Sequence, residues 1–89
     1  MLIGKVIGRV VATRKEAKLL AAKLIVVQPL DLNYKPSGVP MVCIDAVGAG
    51  YKETVLIVQG SSARLVTDQS NNPVDAAIIG IVDSIQLDE

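Results

Sequence analysis

Histidine, tryptophan and phenylalanine are absent from this 89-residue chain, cysteine occurs once, and the only aromatic residues are Tyr34 and Tyr51. Each shortage excludes a class of function. With no histidine and Cys43 alone, a structural zinc site lacks its ligands. A hard cation needs clustered carboxylates, and Asp68, Asp75 and Asp83 are not at loop-ligand spacing. No metal and no cofactor is therefore expected. Nucleophilic catalysis needs a nucleophile, a base and a group that orients the base. Ser61, Ser62 and Cys43 have no histidine to serve them, and nothing selects Glu53 with Asp45 as an acid–base pair, so the chain is expected not to be an enzyme. Nine basic residues balance nine acidic ones, without the basic stripe or stacking aromatics of a nucleic-acid binder. A single cysteine forms no internal disulfide, which suits a reducing compartment. No apolar run approaches the ~20 residues of a membrane span. The opening MLIGKVIGRVVATRK lacks the order of a signal peptide. These features imply a cytoplasmic protein with neither membrane nor nucleic acid as partner.

What the chain has in quantity is aliphatic surface. Hydrophobic residues make up 51 % of it, and its mean hydropathy is +0.46. Residues 1–89 form one domain by length, and a domain this small buries only about 60–65 % of its unfolded surface. The excess points to association with further copies, because an obligate interface resembles a core cut in half.

The hydrophobic pattern is mainly β. In Leu2 to Ala12, Gly4, Val6, Gly8, Val10 and Ala12 alternate as a small apolar face, and Lys5, Ile7, Arg9 and Val11 as a mixed one. Gly4 and Gly8 suggest close approach of another element. Thr13-Arg14-Lys15-Glu16 fits a capping box, so Arg14 to Ala22 reads equally as a short helix or a polar loop. Lys23 to Leu30 suits a strand covered on both faces, with Pro29 at an edge or bulge. Asp31 to Pro40 is a surface loop and the longest candidate for mobility. Val42 to Val47 and Thr54 to Gln59 read as the third and fourth strands, joined as a hairpin by the Gly48–Lys52 turn. Ser61 to Arg64 fits one helical turn capped by Ser61, and Asn71-Asn72-Pro73 makes a turn within the polar loop Thr67 to Pro73. Ala76 to Leu87 is the last strand, with a bulge or bend at Gly80. About five strands with one or two short helical turns imply a small five-stranded, closed or nearly closed β-barrel resembling the OB-fold. Closure also removes exposed strand edges.

Two features admit competing readings. The Gly48-Ala49-Gly50 turn leads into a strand rather than a helix, so a backbone turn with positive φ, at Gly50 in particular, is favoured over a phosphate loop. Arg64 and the amides of Gly60-Ser61-Ser62-Ala63 form a candidate anion site, against which stands pairing of Arg64 with an acidic residue of its own or a neighbouring subunit; the pairing is favoured. Asp83, in register with Ile79, Ile81, Ile85 and Leu87, is expected in a salt bridge or backbone hydrogen bond. Cys43 reads as a small core residue.

Several blocks together resemble one family. GKVIGRVVATRK at the start, Lys23-Leu24-Ile25-Val26-Val27, DAVGAG, Glu53, VLIVQGSSAR and PVDAAIIGIVD occur in the order and spacing of the bacterial microcompartment vertex proteins. These are the pentamer-forming shell proteins of carboxysomes and metabolosomes. Two positions depart from the pattern: Lys52, where many members have a small residue, often glycine, and Thr54, where several have an aromatic. The resemblance implies a barrel subunit of a homopentamer that closes the five-fold vertices of a shell tiled by hexameric shell proteins. It places Gly48, Ala49, Gly50 and Glu53 near the axial opening and Ser61, Ser62 and Arg64 at subunit contacts. The alternative is an OB-type module that binds nucleic acid or another ligand.

Overall fold

The computed structural model describes residues 1–11, 23–60, 63 and 75–88. The segment 14–22, the loop 67–73 and the turn 61–64 apart from Ala63 lie outside the described residues. Five strands are present: β1 (Leu2–Arg9), β2 (Leu24–Leu30), β3 (Met41–Asp45), β4 (Thr54–Gln59) and β5 (Ala76–Val82). They close into a barrel in the order β1-β2-β3-β5-β4, with β4 returning to pair β1. Four of the strand pairs are antiparallel and β3/β5 is parallel. The neighbours β4-β1-β2-β3 follow the spatial order of a Greek key, and β5 fills the gap between β3 and β4. The expected small barrel is thus present and fully closed.

β2 shows how the sequence makes a wall. Its burial alternates strictly along the strand, with Ile25, Val27 and Pro29 buried and the residues between them half-buried. The expectation that β2 is covered on both faces fails, since its outer face stays partly open. Inside the barrel, Val6, Ile25, Val27, Cys43, Val55, Ile57 and Ile78 form the core. A second, smaller cluster of Val58, Ala63 and Ala77, flanked by Ile44 and Ile79, packs apart from it. Pro29 stands beyond Val27↔Met41, the last pair of β2 with β3, where only the β1 side is laddered.

Gly4 occupies a point of close approach. A Cβ built there meets Val27 Cγ1 at 2.3 Å, and both the Gln28 carbonyl oxygen and Ile57 Cδ1 at 3.1 Å. Gly8 differs from the expectation, because a Cβ there has nothing within 4 Å. The reason is a bulge. The β1/β2 register shifts between Val6 and Gly8, so Val6 faces buried Val27 while Gly8 faces half-buried Val26 and Arg9 faces buried Ile25. The extra residue, Ile7, reverses the alternation from there on. Gly80 does sit at a bulge: the β4/β5 register shifts between Leu56↔Gly80 and Ile57↔Ile78.

Three further expectations are corrected. β3 ends at Asp45 and β5 at Val82, not at Val47 and Leu87. Asp83 therefore leaves the sheet and is exposed, without an ion pair among the described residues. β3 and β4 do not form a hairpin, because β5 lies between them. The surface loop after β2 is exposed throughout, yet it carries its own ties. Asp31 Oδ1 accepts from the Asn33 and Lys35 amides at 2.8 and 3.1 Å. Gln28 Nε2 donates to the Gly38 carbonyl at 3.1 Å.

The two glycines of β1 give opposite expectations. Gly4→Ala should cost about 1–3 kcal/mol by overpacking, whereas Gly8→Ala should stay within about 0.5 kcal/mol of the parent. Urea denaturation of both variants checks this, and equal costs would contradict the bulge.

Candidate functional site

Because β5 separates β3 from β4, residues 46–53 must cross the end of the barrel where β1 finishes and β4 begins. Asp45 organises the crossing. Its Oδ1 accepts from the amides of Val47 at 3.0 Å and Gly48 at 2.9 Å, and its Oδ2 from that of Ala49 at 2.8 Å. Its side chain is 1 % exposed, with the Lys23 ammonium 3.9 Å from Oδ2. A short carboxylate bonding amides just ahead of it is a turn-forming device. Three such bonds to a charged acceptor offset the cost of burying it. Gly48, at φ +79°, then turns the chain inward, and Ala49 reaches the core at 2 % exposure.

A second turn follows. The Glu53 amide donates to the Gly50 carbonyl at 3.1 Å, and the Gly50 amide donates to Glu53 Oε1. Lys52 is the third residue of that turn and has φ +71°. Type II turns need positive φ there and favour glycine or asparagine. The departure at Lys52 thus has a physical meaning: lysine stands where glycine is the unstrained choice. The turn is stitched to β1, since the Lys52 amide donates to the Val6 carbonyl and the Val6 amide to the Glu53 carbonyl, both at 2.9 Å. Gly50 itself has no left-handed φ, contrary to expectation. Its constraint is steric, because a Cβ there would lie 2.9 Å from Glu53 Oε1.

Between this crossing and the mouth of the barrel is a cleft of about 350 Å³. Val6, Ile25, Ala49 and Tyr51 line it together with Arg9 and Lys23. Sequence reasoning missed Arg9 and Lys23 as mouth residues. Arg9 faces the mouth only because of the Ile7 bulge, which no residue pattern announces. Tyr51 is exposed, with the Lys52 ammonium 5.6 Å from its ring centroid.

Of the residues expected at an axial turn, the structure brings Gly48, Ala49, Gly50 and Glu53 into one connected crossing. Ser61, Ser62 and Arg64 lie outside the described residues. Ala63 between them is fully buried against Val58 and Ala77, its amide donating to the Gly60 carbonyl at 3.1 Å. Chemically, the two carboxylates of the crossing accept from backbone amides and hold the chain in place. Cys43 is 1 % exposed. Burial, with a smaller contribution from Asp75, pushes its thiol up to about 11, so it is a core residue and a poor nucleophile. Among the described residues no group of three His, Cys, Asp or Glu side chains is placed to hold a metal ion.

Comparison with known proteins gives a consistent result. The model of the family described as "Ethanolamine utilisation protein EutN/carboxysome" matches residues 1–83. The chain is 45 % identical over 86 residues to the bacterial microcompartment shell vertex protein GrpN of Rhodospirillum rubrum, covering 97 % of each chain. It is 47 % identical over 88 residues to the carboxysome shell vertex protein CcmL of Synechococcus elongatus, covering 99 % of this chain and 89 % of that one. Among solved structures, the GrpN pentameric microcompartment shell protein from Rhodospirillum rubrum superposes with a TM-score of 0.88 at 44 % identity, over 98 % of this chain and 100 % of that one.

Two substitutions test the crossing. Lys52→Gly should be neutral or stabilise by up to about 1 kcal/mol, since it relieves a left-handed residue but adds freedom to the unfolded chain. Asp45→Ala should destabilise by about 2–4 kcal/mol, because it strands three amides. Thermal or urea unfolding reads both. A stable Asp45→Ala protein would contradict the organising role of the carboxylate.

Proposed function

The chain belongs to the ethanolamine utilisation protein EutN/carboxysome family, and we propose that it is a structural shell protein capping the five-fold vertices of a bacterial microcompartment as a cyclic homopentamer. The observation that carries this reading is its end-to-end likeness to a pentameric microcompartment shell protein. It is not an enzyme, and its place is the shell, within the cytoplasm. A cyclic ring needs a heterologous interface, in which one patch meets a different patch on the next copy. The exposed aliphatic residues of the subunit, among them Val42 on β3 and Val11 and Val39 outside the strands, supply apolar surface for such contacts.

On this reading residues 1–89 act as one vertex domain, and five copies form a wedge that bends a flat hexagonal sheet. Its partners are further copies of itself and the hexameric shell proteins that tile the facets, with neither nucleic acid nor membrane. The crossing that carries Gly48, Ala49, Gly50 and Glu53 stands at the axial opening, exposing the backbone at Gly48 while Ala49 anchors it from below. Ser61, Ser62 and Arg64 stand at subunit contacts; Ala63, their neighbour in sequence, is buried against Val58 and Ala77.

Co-expression with hexamer-forming shell proteins tests the role. With the chain present, electron microscopy should show closed polyhedral shells that contain it; without it, sheets, tubes or open shells. Shells that close equally well without it, or that exclude it, would contradict the vertex role.

A further inference from the structure

Beyond Val82 the chain continues as an arm, residues 83–88, without regular secondary structure. Among the described residues no backbone hydrogen bond ties residues 84–88 to the rest of the subunit. Leu87 is 56 % exposed, and Ile85 is only half-buried. Acidic residues bracket these two apolar side chains, with Asp83 before them and Asp88 and Glu89 after. A segment with an exposed apolar side chain and no backbone hydrogen bonds among the described residues is a candidate binding element.

The complementary surface is the barrel-end cleft. Its floor is the edge of the core, Val6, Ile25 and Ala49, each at most 3 % exposed; exposed Tyr51 supplies the accessible apolar side, and the lip is basic, from Arg9 and Lys23. Arg9 makes no ion pair among the described residues. Among the described residues that line the cleft, the charges are opposite in sign to those of the arm. Position supports the match as well. The last residue of β5, Val82, pairs with Thr54, one residue after Glu53, so the arm leaves the barrel at the end that carries the cleft. In a cyclic ring every copy is related by rotation about one axis. Two features close together in one copy therefore lie at nearly the same height in the next. Reach is adequate: six residues span at most about 20 Å, comparable with the 21 Å narrow dimension of the molecule.

We propose that in the ring the C-terminal arm of each copy lies in the barrel-end cleft of the next, with Leu87 against Tyr51 and Asp88 at the basic lip. The inference rests on the pentamer reading and gives it a heterologous contact: one arm and one cleft per copy, closed head to tail. The cleft then is a seat for a second copy of this chain rather than for a small molecule. It also accounts for Leu87, which its own subunit leaves 56 % exposed.

The test uses two full-length variants with different affinity tags, Leu87→Cys in one and Tyr51→Cys in the other, co-expressed so that rings mix. Cys43 remains in place, being buried. A short bismaleimide should join the two tagged chains, a product that only contact between subunits can give, and the parent chain should give none. In parallel, removal of residues 84–89 should raise the concentration at which the ring half-dissociates by tenfold or more. If the parent chain is pentameric by native mass but no mixed cross-link forms and the shortened chain dissociates like the parent, the arm contact is overturned while the pentamer stands. If the parent chain is itself monomeric at micromolar concentration, the pentamer fails and takes the arm contact with it.

Discussion

β5 lies parallel to β3 on one side and antiparallel to β4 on the other, and those two ladders close the barrel. Without them the Greek-key order β4-β1-β2-β3 would be an open sheet with two exposed edges rich in valine and isoleucine. Closure has a local consequence. The third and fourth strands can no longer meet, so the link between them has to bridge the barrel mouth. That link would leave several backbone amides near an apolar interior. Asp45 meets three of them with a buried carboxylate, and Glu53 meets the amide of Gly50. The glycine-rich crossing is thus a product of the topology, and its polar residues are spent on the backbone.

A barrel of five short strands encloses little. Its core is a handful of β-branched side chains around Ile57 and Ile78, with Ala49 closing one end. Over half the chain is apolar, more than such an interior takes up. The remainder sits on the outer wall and in the loops, where Val11, Val39 and Leu87 are largely exposed. Burial of that surface against further copies lets a small domain share the stabilisation of a larger assembly. A ring built on two different patches per copy does this without leaving either patch free.

The sequence made the strands legible where β-branched residues alternate between clear breakers. β4 lies where Thr54 to Gln59 places it, and Cys43 is a core residue as its strand setting implied. The close approach at Gly4 was also legible. What the pattern hid was every feature set by pairing at a distance. The bulge at Ile7 flips Gly8 and Arg9 to opposite faces from those that simple alternation assigns. The insertion of β5 turns an apparent hairpin into a crossing. The positive φ falls on Gly48 and Lys52 instead of Gly50, because the turn is fixed by the hydrogen bond between Gly50 and Glu53. The last strand ends at Val82 although its apolar alternation runs on to Leu87, since no neighbouring strand extends that far. The family resemblance, carried by blocks across most of the chain, named the assembly that composition alone only hinted at.

The mass of the purified protein under native conditions tests the central claim most directly. A dominant species at five times the 9.4 kDa chain mass, persisting on dilution to micromolar concentration, is what this account predicts. A stable monomer, or a closed ring of a different number, would contradict it.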